Sequence, residues 1–370
     1  MPEDKDMHVP ESLVRLGRLY DRTRGLWIRL GDLETRLLGD SLPEEVDRPV
    51  YVCGLARSGT TIILEMLARH PETASHRYRD FPFIFTPVIW DWFYRRAGTA
   101  GQEAAERAHK DGIMVTAESP EAMEEMIWAA LVPGVHDPGA GNVLGPGASY
   151  PRFERAYRDH IRKLLHVRGA RRYLAKGNYN LSRMGYLLRL FPGARFVIPV
   201  RDPVGHIASL MKQHRLFTEQ AARDPRVTEH LSREGHFEFG PGRIPINFGD
   251  GAAAAEVARL WQEGEEVRGW ARYWAEAYGF AARALSESPE LREAAVVIDY
   301  RNLCRMPYES LRLIHSHCGL HVGEEALREL AGRIAYPGYY KPSFSDEEMK
   351  VIEQETSGAL EAVSALVGNR

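Results

Sequence analysis

The segment Val50-Tyr-Val-Cys-Gly-Leu-Ala-Arg-Ser-Gly-Thr-Thr61 constrains this chain more than any other stretch. The apolar run ending at Gly54 reads as a short buried strand. From Ser58 to about His70, Ile62, Ile63, Met66 and Leu67 share one helical face. A strand, a glycine turn and a helix in that order open a parallel α/β sheet. The turn has the parts of a phosphate cradle: backbone N–H groups, glycine for close approach, and a helix N-terminus behind. Gly59 lies within it. Ser58, Thr60 and Thr61 add hydroxyls, and Arg57 adds a guanidinium fork.

A Walker A loop has Gly, four residues, Gly, Lys, then Ser or Thr. Gly54, Gly59 and Thr61 satisfy that spacing, but Thr60 occupies the lysine position. A P-loop kinase or NTPase is therefore the weaker reading, and the cation of the loop is Arg57.

Strand and helix alternate again downstream. Tyr173-Leu-Ala-Lys176 and Arg195-Phe-Val-Ile-Pro-Val200 read as strands, although Pro199 lacks a ladder donor. A helix is expected over about 181–191, another after Pro203, a strand at Ala295–Tyr300, and helices from Tyr308 and from Asp346. Residues 11–39 read as one helix. The expected fold is α/β: a P-loop-containing, three-layer arrangement with a central parallel sheet flanked by helices, plus helical insertions. Residues 1–48 form an N-terminal helical segment, and 49–370 a single domain with acceptor-side insertions at about 81–150 and 217–270. Phe81, Phe83, Phe85, Trp90, Trp92, Phe93 and Tyr94 in the first insertion are candidates for core or for an acceptor pocket.

Composition adds exclusions. With 370 residues, 44% hydrophobic, 27% charged and mean hydropathy −0.36, the chain has a globular composition. A net charge of −3 and a pI near 6.6 give no global reason to expect nucleic acid or an anionic membrane as partner, so an anion site must be local. Cys53, Cys304 and Cys318 form no metal-ligand pattern and read as reduced structural thiols. No signal-peptide pattern or membrane-length apolar run is evident, so a cytoplasmic location is expected.

Arg57-Ser-Gly-Thr-Thr61 after a strand resembles the 5′-phosphosulfate loop of sulfotransferases that use 3′-phosphoadenosine 5′-phosphosulfate (PAPS). The arginine, and the continuation to His70-Pro71, look like the tyrosylprotein and bacterial branches. A second element of that family is a strand followed by Arg-Asp/Asn with a serine eight positions after the arginine. Arg201-Asp202 and Ser209 are similar to it, which implies that Arg201 and Ser209 bind the donor's 3′-phosphate. Lys176, ahead of Leu190-Phe-Pro-Gly-Ala-Arg195, resembles the family's catalytic lysine. Tyr300 resembles the tyrosine ending a later strand, although Arg301-Asn302 replaces the family's acidic pair. Tyr340-Lys341-Pro342 and Lys350 resemble a C-terminal region closing over the donor.

The resemblance implies in-line sulfuryl transfer, with Arg57 and Lys176 stabilising charge on the bridging oxygen and no metal required. The general base of the tyrosylprotein branch, a glutamate after the His-Pro pair, falls here on Tyr78. Asp80 is the nearby carboxylate expected to replace it, with His76 second and Glu118 or Glu125 behind. The alternative for Asp80 is an ion pair with Arg77 or Arg79. A non-catalytic nucleotide-binding protein is the third reading. The acceptor is expected to be a small molecule, lipid or carbohydrate bearing a hydroxyl or amine, and the oligomeric state is unreadable.

Overall fold

The computed structural model describes residues 11–97, 105–106, 114–335 and 343–368. Lys341 and its neighbours Tyr340 and Pro342 lie outside these. The first helices are α1 (Glu11–Arg22), α2 (Arg24–Leu38), α3 (Thr60–Ala68), α4 (Pro87–Arg96), α5 (Glu125–Leu131), α6 (Pro151–Arg168), α7 (Met184–Leu190) and α8 (Pro203–Arg223). They are followed by α9 (Arg226–Glu234), α10 (Gly251–Gln262), α11 (Glu266–Glu287), α12 (Pro289–Ala294), α13 (Tyr300–Arg305), α14 (Pro307–Cys318), α15 (Glu324–Ala331) and α16 (Asp346–Ser364). The strands are β1 (Val50–Cys53), β2 (Thr73–Ala74), β3 (Ala105–Glu106), β4 (Met114–Val115), β5 (Arg172–Gly177), β6 (Arg195–Val200) and β7 (Ala295–Asp299). β3 and β4 pair antiparallel with each other. The other five form a parallel sheet in the order β2-β5-β1-β6-β7.

Side chains alternate along each sheet strand, and both faces are apolar, as a sheet covered on both sides requires. Val50, Val52, Leu174, Val197, Val296 and Ile298 pack with Ile63, Leu67 and Leu311 of α3 and α14. Tyr51, Cys53, Tyr173, Phe196, Ile198 and Val297 enter the opposite core, with Tyr157 of α6 and Trp274 and Tyr278 of α11. The result is three layers around a parallel sheet. No helix among the described residues is long and apolar enough to cross a membrane.

Local departures from the sequence expectation have simple causes. The single helix expected over 11–39 breaks at Thr23, whose hydroxyl bonds back to the Leu19 carbonyl at 2.7 Å; such back-bonding bends helices. The helix expected over 181–191 begins as a 3₁₀ turn, Tyr179–Arg183, before α7. Pro199 is tolerated in an interior strand because it lies past Val197, the last β6 residue paired with β1. Most aromatics of the insertions are core. Phe83 packs on Trp27 and Trp90 with ring centroids 4.9 and 4.6 Å apart, and Trp270 and Trp274 are fully buried. Trp92 and Phe93 are exposed instead.

Candidate active site

The turn after β1 is shaped by two residues of positive φ, Arg57 at 70° and Gly59 at 108°. A Cβ on Gly59 would stand 2.6 Å from the Tyr300 ring, so glycine is required there for conformation and for space. His206 of α8 fixes the preceding residue. It is buried, and Trp274 Nε1 donates to its Nδ1 at 3.1 Å, so Nε2–H donates to the Ala56 carbonyl at 2.8 Å. Burial, then the nearby Arg201, hold this imidazole neutral, with its pKa pushed down to about 3.

Residues of the two motifs singled out in the sequence meet here. Arg57 Nε donates to Ser209 Oγ at 3.2 Å, and Arg201 Nη1 donates to the Arg57 carbonyl at 3.2 Å. The Arg201 guanidinium lies over the Tyr300 ring, 5.3 Å from its centroid. Thus Arg57, Gly59, Arg201, Ser209 and Tyr300 form one contiguous group, although more than 240 residues separate its ends. Ser58 is fully buried, and Thr60 nearly so, at the base of the turn.

The neighbouring strand β5 brings a lysine up to the loop. In the parallel register Val52 stands opposite Lys176. Lys176 Nζ reaches Thr61 Oγ1 at 3.1 Å and Glu121 Oε1 at 3.1 Å. Glu121 also accepts from the Tyr78 hydroxyl at 2.5 Å. Burial opposes its ionisation, but Lys176, Tyr78 and His236 outweigh this and hold the carboxyl well below the usual range.

Arg57, Thr60, Thr61 and Lys176 line one side of a narrow cleft. Ala122, Glu125 and Tyr179 also line it, and Glu234, Gly235, His236 and Glu238, at and after the end of α9, complete it. The cavity volume is about 50 Å³, room for one or two waters. Both long insertions thus contribute to its walls. His236 Nδ1 lies 3.2 Å from Glu238 Oε1. Burial works against its protonation, yet Glu238, Glu234 and Glu121 prevail and raise its pKa to about 9. Glu125 is engaged with Arg183 at 2.8 Å and His136 at 2.6 Å.

Asp80 and His76, favoured from sequence as bases, do not line this cleft. Asp80 is buried and accepts both oxygens' worth of bonds from Arg168 Nη2 at 2.6 and 2.8 Å, as well as from the Arg77 backbone N–H at 2.9 Å. Its ion pair is therefore with Arg168, not with Arg77 or Arg79. Arg77 pairs with Glu118. Arg79 pairs with Glu118 and with Asp91, both at 2.9 Å. Burial disfavours the Asp80 anion, but His76 and Arg168 hold its pKa well below the usual range. His76 is 2% exposed and bonds His160 through Nε2 at 3.1 Å. Lys350 is exposed on α16 and does not line the cleft.

Residues 49–236, just over half of the chain, match the model of the Sulfotransferase family. The chain belongs to the sulfotransferase family. That match runs from the sulfotransferase's first strand through the loop, Lys176, Arg201 and Ser209, and ends at His236. Solved structures of other sulfotransferases are similar at low identity. One from Mycobacterium tuberculosis H37Rv is 15% identical, with 95% of this chain and 87% of that one covered and a TM-score of 0.46. One from Mycobacterium avium is 14% identical, with 88% and 79% covered and a TM-score of 0.49. A third, from Alicyclobacillus acidocaldarius, is 16% identical, with 88% and 98% covered and a TM-score of 0.40. No curated protein matches the chain.

Sequence reasoning passed over Glu121, His236, Glu238 and His206. Glu121 stands among Glu118, Glu124 and Glu125 with nothing in the run to single it out. His206 carried a usable signal: it lies between Arg201 and Ser209, on the helix face that must meet the loop.

Proposed function

We propose that this sulfotransferase takes its sulfuryl group from PAPS and passes it to a hydroxyl or amine of a small-molecule, lipid or carbohydrate acceptor. The observation that carries this reading is Lys176, held between the loop hydroxyl of Thr61 and the carboxylate of Glu121 at 3.1 Å each. The Arg57–Ser209 and Arg201–Arg57 contacts support a donor with phosphates at both ends, one on the loop and one on Arg201 and Ser209. Tyr300, against Gly59 and beneath Arg201, offers a ring face beside them.

In this scheme Glu121, which does not itself line the cleft but bonds the cleft residue Lys176 directly, is the general base rather than Asp80. When Lys176 turns to the bridging oxygen of the donor, Glu121 loses its cation, and its basicity rises. Glu121 then takes the acceptor proton as the acceptor–sulfur bond forms. The bond from sulfur to the bridging oxygen breaks, and Lys176 with Arg57 neutralises the charge left on the 5′-phosphate. His236, cationic at neutral pH beside Glu238, is a poor base and serves to hold its part of the cleft wall. Asp80, clamped by Arg168, serves to fix the chain between α3 and α4.

The test is a thermal-shift comparison followed by turnover. 3′-Phosphoadenosine 5′-phosphate should stabilise the chain more than ATP with magnesium, and Arg201→Ala should remove most of that shift. Stabilisation by magnesium-ATP and not by the 3′-phosphorylated nucleotide would sink the reading.

A further inference from the structure

Ten large hydrophobic side chains are exposed among the described residues, and seven of them lie on α1, α2 and α4. Surface apolar residues scattered singly need no explanation, but a cluster on one face does. On α2 the stripe is Leu26, Leu33 and Leu37, the last 77% exposed, and Leu19 near the end of α1 is exposed as well. Leu26, Leu30, Leu33 and Leu37 are spaced four, three and four apart, which places them along one edge of α2. The opposite edge, through Ile28, Gly31 and Glu34, is the buried one.

On α4 the exposed side chains are Ile89, Trp92 and Phe93, one face of a helix whose other face holds buried Asp91. The start of α4 is tied to α2 where the Ile89 backbone N–H donates to the buried Glu34 Oε1 at 2.6 Å. Cations border both. Arg29 and Arg36 each follow a stripe leucine by three residues, so they form a parallel ridge beside it on α2. These two arginines make no ion pair among the described residues. At the end of α4, Arg96 stacks over Trp92 with 3.9 Å to the ring centroid.

We propose that this face, the outer edge of α2 with the exposed face of α4, docks on an anionic membrane surface. Leucines, a tryptophan and a phenylalanine flanked by arginines are the composition of helices that lie in the bilayer interface: apolar groups enter the acyl boundary, and guanidinium groups meet the lipid phosphates. A second copy of the chain fits less well. Antiparallel packing along the leucine stripe sets Arg29 against Arg36 of the other copy. Parallel packing sets the arginines beside Trp27 and Glu34, and these are engaged with Phe83 and Lys163. Asp32, the neighbouring acid, lies on the far side of the arginines from the leucines.

The test is flotation of the full chain with phosphatidylcholine vesicles, alone or with about a third phosphatidylglycerol. The chain should float with the anionic vesicles only, and binding should fall as salt rises. Leu33→Glu with Leu37→Glu should weaken binding at least about tenfold. Arg29→Glu with Arg36→Glu should weaken it by about fivefold per lost arginine or more. Both double variants should keep the wild-type melting temperature and nucleotide response, since all four side chains are exposed. Equal recovery from neutral and anionic vesicles, or insensitivity to both double substitutions, would overturn the proposal. A concentration-dependent dimer, seen by light scattering and broken by the leucine substitutions, would overturn it in favour of self-association.

Discussion

Lys176 is 11% exposed and its ammonium pairs at 3.1 Å with Glu121, which is 9% exposed. Glu121→Gln therefore removes the proposed base and the ion pair that holds Lys176 in place at once. The expected outcome is a fall in kcat of about 10²- to 10³-fold with nucleotide binding retained. Glu121→Asp, which keeps the charge, should recover part of the rate; no difference between the two variants would count against the assignment. His236 gives a pH prediction. Its pKa rises from 6.5 to about 9 on folding, so the folded chain holds this proton more tightly than the unfolded one. The resulting stabilisation is complete below pH about 6.5 and is lost as pH climbs through about 9. Melting temperatures should therefore drop between those values, and His236→Gln should flatten that part of the profile.

At the scale of elements, the turn between β1 and α3 works because neighbours over-determine it. Gly59→Ala would combine an unfavourable φ of 108° with a clash on Tyr300, and should cost about 2–4 kcal/mol and abolish nucleotide-induced stabilisation. Asp80 belongs to the same scale. Asp80→Asn leaves Arg168 with Asp91, 3.3 Å away, as its remaining acid and should lower stability by about 2–3 kcal/mol. The rate per folded molecule should stay within a few-fold of wild type, whereas a base would lose orders of magnitude. These two sites also show what was legible beforehand. Loop and strand periodicity marked β1, α3, β6 and the Arg201–Ser209 helix, because the pattern is local and each residue's role depends on its own neighbours. Glu121 was invisible because only the fold brings it to Lys176, 55 positions away. Asp80 was misread for the same reason: its partner, Arg168, is 88 positions distant, while Arg77 and Arg79 are adjacent in sequence.

Across the whole molecule, the helices before residue 49 are tied into the body by charge as well as by apolar contact. Lys163 of α6 pairs with Glu34 of α2 at 3.1 Å, both 3% exposed, and donates to the Gly31 and Phe85 carbonyls. Arg18 of α1 holds Glu229 of α9 at 2.7 Å, and Arg233 of α9 holds Asp21 of α1 at 2.9 Å. A chain beginning at residue 49 would leave Lys163 without its carboxylate and the Tyr20, Trp27 and Phe83 cluster open on one side. Such a truncation should melt well below the full chain or fail to accumulate as folded protein, as circular dichroism would show.

The ties between α1 and α9 have one further consequence. Glu234, the last residue of α9, begins the stretch that covers the cleft, so the ceiling over Lys176 hangs from a beam bolted to the N-terminal helices. Any displacement of that cover relative to the sheet therefore involves the Arg18–Glu229 and Arg233–Asp21 pairs. The structural unit around the cleft is therefore longer than the stretch the family model matches: that match spans residues 49–236, and the helices that brace α9 start ahead of residue 49.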